Sequence, residues 1–425
     1  MKHMAIVENI KKTKLSNGIR VLTEKIPYVR SVSIGVWVLA GTRDENLQNN
    51  GIAHFLEHMV FKGTKTRTSL ELADSLESLG GQINAYTSKE HTCYYAHLLD
   101  EDLDIAIEIL ADMMLNSKLS TGDIQIEKDI VLEEITELED DPGELVHEFF
   151  LQSLFQPHPM SYSILGSKET VKEIIQEDLI DFHISNYTAN RIIISAAGNV
   201  DHDQVLNLVN KYFCNIPKLS NRKNTALTEE NPSQSIYENK FQQAHICLGK
   251  RIFNYADERR YALMVLNTIL GAGMSSRLFQ NIREKHGLAY SIYSFVDFFQ
   301  EAGIFGVYLG TDKEKIDLTL DLVKKELQKL IDEPIPKDEL FKRKNQLKGN
   351  LILGMESTSN RMDRLAKMEI YHGKFIPLEE TIKAIETVDQ DQLIELAFEL
   401  FQESKLFYTI FKPTGSHPSL SMKAG

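Results

Sequence analysis

The sequence predicts an α+β fold built from two similar domains, and three observations carry that prediction. Strand-like and helix-like apolar patterns alternate along the whole 425-residue chain. The order of these segments in the first half recurs in the second. Between the halves lies a polar stretch, Asn215 to Ser235, that carries two prolines and no apolar periodicity. With 42% hydrophobic and 25% charged residues, a chain of this length can close two full cores.

In the first half, RSVSIGVWVLAGTRDE (30–45) reads as a strand, and a short helix follows within Gly51 to Thr64. Next come a paired-strand region, GGQINAYTSKEHTCYYAHLL (80–99), and a helix, DEDLDIAIEILADMML (100–115). The second half repeats the order: QQAHICLGKRIF, ERRYALMVLNTILG, GLAYSIYSFVDFF with GIFGVYLGT, then DKEKIDLTLDLVKKELQKL. Even short words run parallel, INAYTS against GLAYSI and DEDLDIAIEIL against DKEKIDLTLDLV. The expected division is an N-terminal domain over residues 1–214, a linker over 215–235, a homologous C-terminal domain over 236–412 and a loose tail over 413–425.

The stretch GIAHFLEHMVFKGT, Gly51 to Thr64, carries the chemistry. At 100° per residue, Ile52, Phe55, Leu56 and Met59 fall on one side of a helix, and His54, Glu57, His58 and Phe61 on the other. Residues four apart lie one above the other, so His54 and His58 can grip one metal ion, for which zinc is the natural candidate. Asn49 or Asn50 can cap the start, and Gly63 suits a left-handed position past the end. The second copy lacks this motif.

A third ligand should be a carboxylate on another element. Ser120 to Asp140 reads as a helix with a capping pair at Ser120 and Asp123 and an apolar stripe of Ile130, Val131, Ile135 and Leu138. Glu127 and Glu134 are seven apart and share a face beside that stripe, where a solvated acidic face is the alternative to a metal-facing pair.

HFLEH, a glutamate 76 positions beyond its second histidine (134 minus 58) and another seven earlier resemble the inverzincins, the family of pitrilysin, insulin-degrading enzyme and the mitochondrial processing peptidases. The resemblance implies His54, His58 and Glu134 as ligands of one zinc per chain, Glu57 as general base and Glu127 as a supporting carboxylate. In GQINAYTSKEH, Gly81 to His91, it implies a substrate strand with Asn84 and Ala85 as backbone contacts for an extended peptide. In IREKHGLAYS it implies Arg283 and Tyr290 as catalytic and substrate-binding residues from the C-terminal domain, Tyr290 toward a developing oxyanion and Arg283 toward a substrate carbonyl. Arg277, His91 and His97 are read as structural. The length is similar to that of the small two-repeat bacterial members, which implies a homodimer enclosing a chamber.

The expected function is a zinc endopeptidase acting on unfolded peptides or presequence-like segments. The alternative is a catalytically silent regulatory or peptide-binding subunit, against which the presence of every catalytic part in one chain argues. A formal charge of −14 excludes a typical nucleic-acid binder. No run of eighteen apolar residues and no signal-type N-terminus is found, so no membrane partner is expected and a cytoplasmic location is. Cys93, Cys214 and Cys247 are odd in number and scattered, and read as buried or half-buried thiols rather than a disulfide framework.

Overall fold

The computed structural model describes residues 8–217 and 225–414. The first stretch runs β1 (Ile10–Lys14), β2 (Arg20–Lys25), β3 (Ser31–Val38), α1 (Ile52–Val60), α2 (Ser69–Glu77), β4 (Gln82–Thr87) and β5 (Thr92–Leu99). It continues with α3 (Leu103–Asn116), α4 (Thr121–Asp140), α5 (Pro142–Phe155), α6 (Lys168–Glu173), α7 (Gln176–Asn186), β6 (Ile192–Gly198) and α8 (His202–Phe213). The second holds β7 (Gln234–Asn239), β8 (Ala244–Ile252), α9 (Arg260–Leu270), β9 (Ala289–Phe298), β10 (Gly303–Thr311) and α10 (Ile316–Asp332). It ends with α11 (Lys337–Gly354), α12 (Thr358–His372), α13 (Leu378–Thr387), α14 (Gln390–Leu400) and β11 (Phe407–Pro413).

Two compact units form, and each is assembled from separate stretches of chain. Unit 1 comprises Met1–Glu137, Gln156–Leu227 and Gly349–Ile382; unit 2 comprises Leu138–Phe155, Thr228–Lys348 and Lys383–Gly425. Helix α5 thus belongs to unit 2 and α12 to unit 1, an exchange of segments that the linear division of the sequence does not contain. Of the expected linker, residues 218–224 lie outside the described residues, as do 415–425 of the expected tail; Gln234 and Ser235 already belong to β7 and Pro413 to β11.

The sheet of unit 1 has the order β1-β2-β6-β3-β5-β4, with β2 and β6 parallel and every other pair antiparallel. The sheet of unit 2 has the order β7-β11-β8-β10-β9, with β7 and β11 as its one parallel pair. Matching β2-β6-β3-β5-β4 to β7-β11-β8-β10-β9 aligns both order and direction, so the repetition read from the sequence is a repetition of topology.

In unit 1, β3 is buried along nearly its whole length because both faces of the sheet are covered. One face packs on α1, α3 and α8 through a large core that includes Ile34, Val36, Phe55, Leu56, Ile107, Leu110 and Val209. The other receives α12, whose Met362, Leu365 and Ala366 lie against Leu22, Trp37, Cys93 and Ile193. Polar clasps hold this exchanged helix: Arg361 pairs with Glu24, Ser195 Oγ donates to the Met362 carbonyl at 2.8 Å, and Ser33 Oγ lies 2.8 Å from Thr358 Oγ1.

Gly35 lets the buried Trp37 ring lie flat along β3, since a Cβ there would stand 2.6 Å from the indole. Gly35→Ala is therefore expected to destabilise the protein by about 1–3 kcal/mol, as overpacking of a close-packed core does. A thermal melt should show the midpoint fall by roughly 2–12 °C, at about 2–4 °C per kcal/mol for a unit of this size; an unchanged midpoint would mean that Trp37 has room to move.

Candidate metal centre and active site

Helix α1 forms where the alternation of β3 gives way to helical spacing, and its apolar side fixes its orientation. Ile52, Phe55, Leu56 and Met59 are completely buried, while His54, Glu57 and His58 line the half-exposed opposite side. The start differs from the asparagine cap expected. Gly51 holds the capping position at φ +94° with no side-chain cap of its own, and the buried carboxylate of Glu45 accepts from Gly51 N and Ala53 N, both at 2.9 Å. Asn50 instead donates to Glu45 at 2.8 Å, and Asn49 accepts from Asn46 N at 2.7 Å. Burial pushes the Glu45 carboxyl up to about 7, against the pull of those N–H groups and of Lys89. Beyond the helix, Gly63 takes φ +119°, the positive region expected of it.

Among the described residues, His54, His58 and Glu134 form the one group of three potential ligands with donor atoms within 4.8 Å of one another. His54 Nε2 and His58 Nε2 are 3.2 Å apart, and Glu134 Oε2 lies 3.8 and 3.7 Å from them. Tetrahedral ligands at about 2.0–2.1 Å from one zinc stand about 3.3 Å apart, so the imidazoles match and Glu134 is a few tenths of an ångström wide. Glu134 is 36% exposed and can close that gap by a small rotation. Its Oε2 is buried with no hydrogen-bond partner among the described residues, as an anionic oxygen prepared for a cation would be. Burial, then the neighbouring His58, hold the His54 imidazole down to about 3, leaving it neutral as a ligand must be. The donor set therefore fits zinc.

Glu127 is almost completely buried and lies against His58. Its Oε1 lies 2.9 Å from His58 Nδ1 and its Oε2 2.5 Å from Lys62 Nζ. Nδ1 of His58 donates to this carboxylate, which sets the tautomer and turns the Nε2 lone pair toward His54 and Glu134. Burial would raise the Glu127 carboxyl, but the hydrogen bonds from His58 and Lys62 outweigh it and hold the carboxyl below its ordinary range. Glu133 is exposed, as its angle round the helix requires, and α4 starts with the expected Ser120–Asp123 pair. Ile130, by contrast, is exposed; the buried stripe is Ile124, Glu127, Val131 and Ile135.

Glu57, beside His58 in sequence, sits in surroundings that suit a base. Burial raises its carboxyl above the ordinary range, partly offset by a 2.6 Å hydrogen bond from Thr87 Oγ1. Thr87 ends β4, the edge strand, which pairs with β5 on one side only. On the same strand Asn84 is exposed and its Oδ1 accepts from Ala85 N at 2.8 Å.

Arg283 and Tyr290 belong to unit 2, where they meet. Arg283 lies in a π-helical segment, Phe279–Lys285, with its guanidinium 4.6 Å from the Phe279 ring and 5.4 Å from the Tyr290 ring; Tyr290, on β9, is 78% exposed. Arg277 is structural, making two bonds to Glu339 at 3.0 and 2.7 Å. His97 Nδ1 lies 2.8 Å from Ser33 Oγ, and His91 is buried against Tyr86. All three cysteines are free; Cys214 is exposed rather than half-buried.

Reading by motif missed Glu45, Lys62 and Thr87. Lys62 had a signal, since it follows His58 by four and extends the row of His54 and His58. Glu45 caps from outside the usual window, and Thr87 reaches Glu57 only through tertiary structure.

Residues 20–168 match the family described as Insulinase (Peptidase family M16), and residues 173–347 match Peptidase M16 inactive domain. An uncharacterized zinc protease of Mycobacterium leprae is 40% identical over 397 residues, covering 92% of this chain and 89% of that protein. An uncharacterized zinc protease of Bacillus subtilis is 38% identical over 410 residues, covering 96% of this chain and all of that protein. A crystal structure of a protease from Helicobacter pylori shares the fold, with a TM-score of 0.89 at 23% identity over 96% of this chain and all of that one. Sequence matches on this scale, with the same fold, place the chain in the M16 peptidase family.

Proposed function

We propose that this protein is a zinc-dependent endopeptidase that hydrolyses unfolded peptides or presequence-like segments. The observation that carries the reading is the convergence of His54 Nε2, His58 Nε2 and Glu134 Oε2 on one point, with Glu57 adjacent. His54, His58 and Glu134 would hold one zinc per chain. Zinc, when bound there, supplies a Lewis acid that polarises a carbonyl and acidifies water toward a pKa of about 7. Glu57 takes the proton of the attacking water on its carboxylate and returns it to the departing amine. Glu127 and Lys62 hold His58 in register for this.

The edge strand β4 takes an extended peptide through main-chain hydrogen bonds at Asn84 and Ala85, which makes recognition tolerant of sequence. Arg283 and Tyr290 act on the substrate, the tyrosine as a hydrogen-bond donor to the oxyanion and the arginine as a clamp on a substrate carbonyl. In this reading the first repeat, residues 1–214, carries the metal, and the second, 236–412, completes the site. The working form is a homodimer enclosing a chamber that admits only unfolded chains, in the cytoplasm.

Hydrolysis of a quenched-fluorescent unstructured peptide tests the reading. The expected result is activity that a zinc chelator abolishes and stoichiometric zinc restores. Activity indifferent to chelation would point to another mechanism, and zinc binding without hydrolysis of any peptide would favour the silent regulatory subunit.

A further inference from the structure

Thr87 takes no part in the proposed proton transfer, although its hydroxyl touches the base directly. Thr87 Oγ1 lies 2.6 Å from Glu57 Oε2. A carboxylate can only accept, so the threonine donates, in a short charge-assisted bond. The strand end that presents it is held in turn: Thr92, opposite Thr87 in the β4–β5 register, donates to the Ala40 carbonyl at 3.0 Å. Glu57 otherwise has a long side chain on the half-exposed side of α1, with rotamer freedom to lose. The last residue of β4 therefore fixes one oxygen of Glu57.

We propose that Thr87 is the positioning residue for Glu57: its hydroxyl pins Oε2 to the end of β4, leaves Oε1 to move the proton, and ties the aim of the base to the strand along which the peptide pairs. This rests on the reading of Glu57 as general base. A threonine present only for its β-branched shape predicts a different outcome, because valine would serve a strand equally well. Valine keeps the shape and removes the hydroxyl, while serine keeps the hydroxyl and removes the methyl.

The test uses the full-length protein as wild type, Thr87→Val and Thr87→Ser, with kcat and KM measured on the fluorogenic peptide. Zinc affinity by chelator competition and the thermal midpoint are measured alongside. Misaiming the base should lower kcat in Thr87→Val by about 10- to 100-fold, with KM, zinc affinity and midpoint close to wild type. Thr87→Ser should recover most of the rate. A wild-type kcat in Thr87→Val, equal losses in both variants, or a loss that follows a loss of zinc would each overturn the inference. The first of these, in an active wild type, leaves the peptidase reading standing, whereas an inert wild type overturns both.

Discussion

Replacing Glu57 by glutamine is expected to lower kcat on an unfolded peptide by about 10²- to 10⁴-fold while zinc remains bound. The substitution is close to isosteric, and the amide oxygen can still accept from Thr87 at the position where Oε2 stands. What disappears is the capacity to take a proton. None of the three proposed ligand atoms belongs to Glu57, so metal content should not change. KM should change little, because the proposed peptide contacts lie on β4 rather than at residue 57. Steady-state kinetics with metal analysis of the same samples checks both halves. Loss of zinc together with rate would show Glu57 to be a ligand, and an unchanged rate would show that hydrolysis occurs elsewhere.

Three of the five glutamates of α4, Glu127, Glu133 and Glu134, should separate by more than about one order of magnitude in zinc affinity. Glu134→Ala removes a ligand and leaves two imidazoles, so it should weaken binding the most, by well over about 100-fold. Glu127→Gln keeps the ligands but loses the carboxylate that fixes the His58 tautomer. Changes to partners of metal ligands typically weaken metal binding by about 10- to 100-fold. Lys62, 2.5 Å from Glu127 Oε2, would also be left without its buried counter-ion. Glu133→Ala, at an exposed position on the same helix, should bind zinc as wild type does. Chelator competition on the purified variants gives the order directly. Equal affinities for Glu134→Ala and Glu133→Ala would remove Glu134 from the ligand set.

Much of the architecture was legible because periodicity records burial. The alternation and β-branching of residues 31–38, the helical stripe of 103–116 and the recurrence of both patterns later in the chain correspond to β3, α3 and their counterparts. The exchange of α5 and α12 between units was not legible, since a stripe on a helix does not say which sheet it covers. In α12, Met362, Leu365 and Ala366 cover Trp37, more than 300 positions away. At the site, the i, i+4 histidines and the seven-residue spacing of Glu127 and Glu134 are local geometry and could be read directly. Their spacing alone does not bring the two helices together; the family resemblance implies that pairing, and in the structure the donor atoms of His54, His58 and Glu134 lie within 4.8 Å of one another. Glu45 escapes such a reading because a cap six residues upstream is a matter of loop shape, and Ile130 falls outside the buried stripe because it lies about 100° round the helix from Val131, off the line of Ile124, Val131 and Ile135.

Zinc-edge anomalous diffraction from crystals of the zinc-loaded protein would test the metal assignment most directly. The expected result is a single peak per chain, about 2.0–2.2 Å from His54 Nε2, His58 Nε2 and a Glu134 carboxylate oxygen. A peak bonded to other residues, or none at this point after zinc loading, would contradict it.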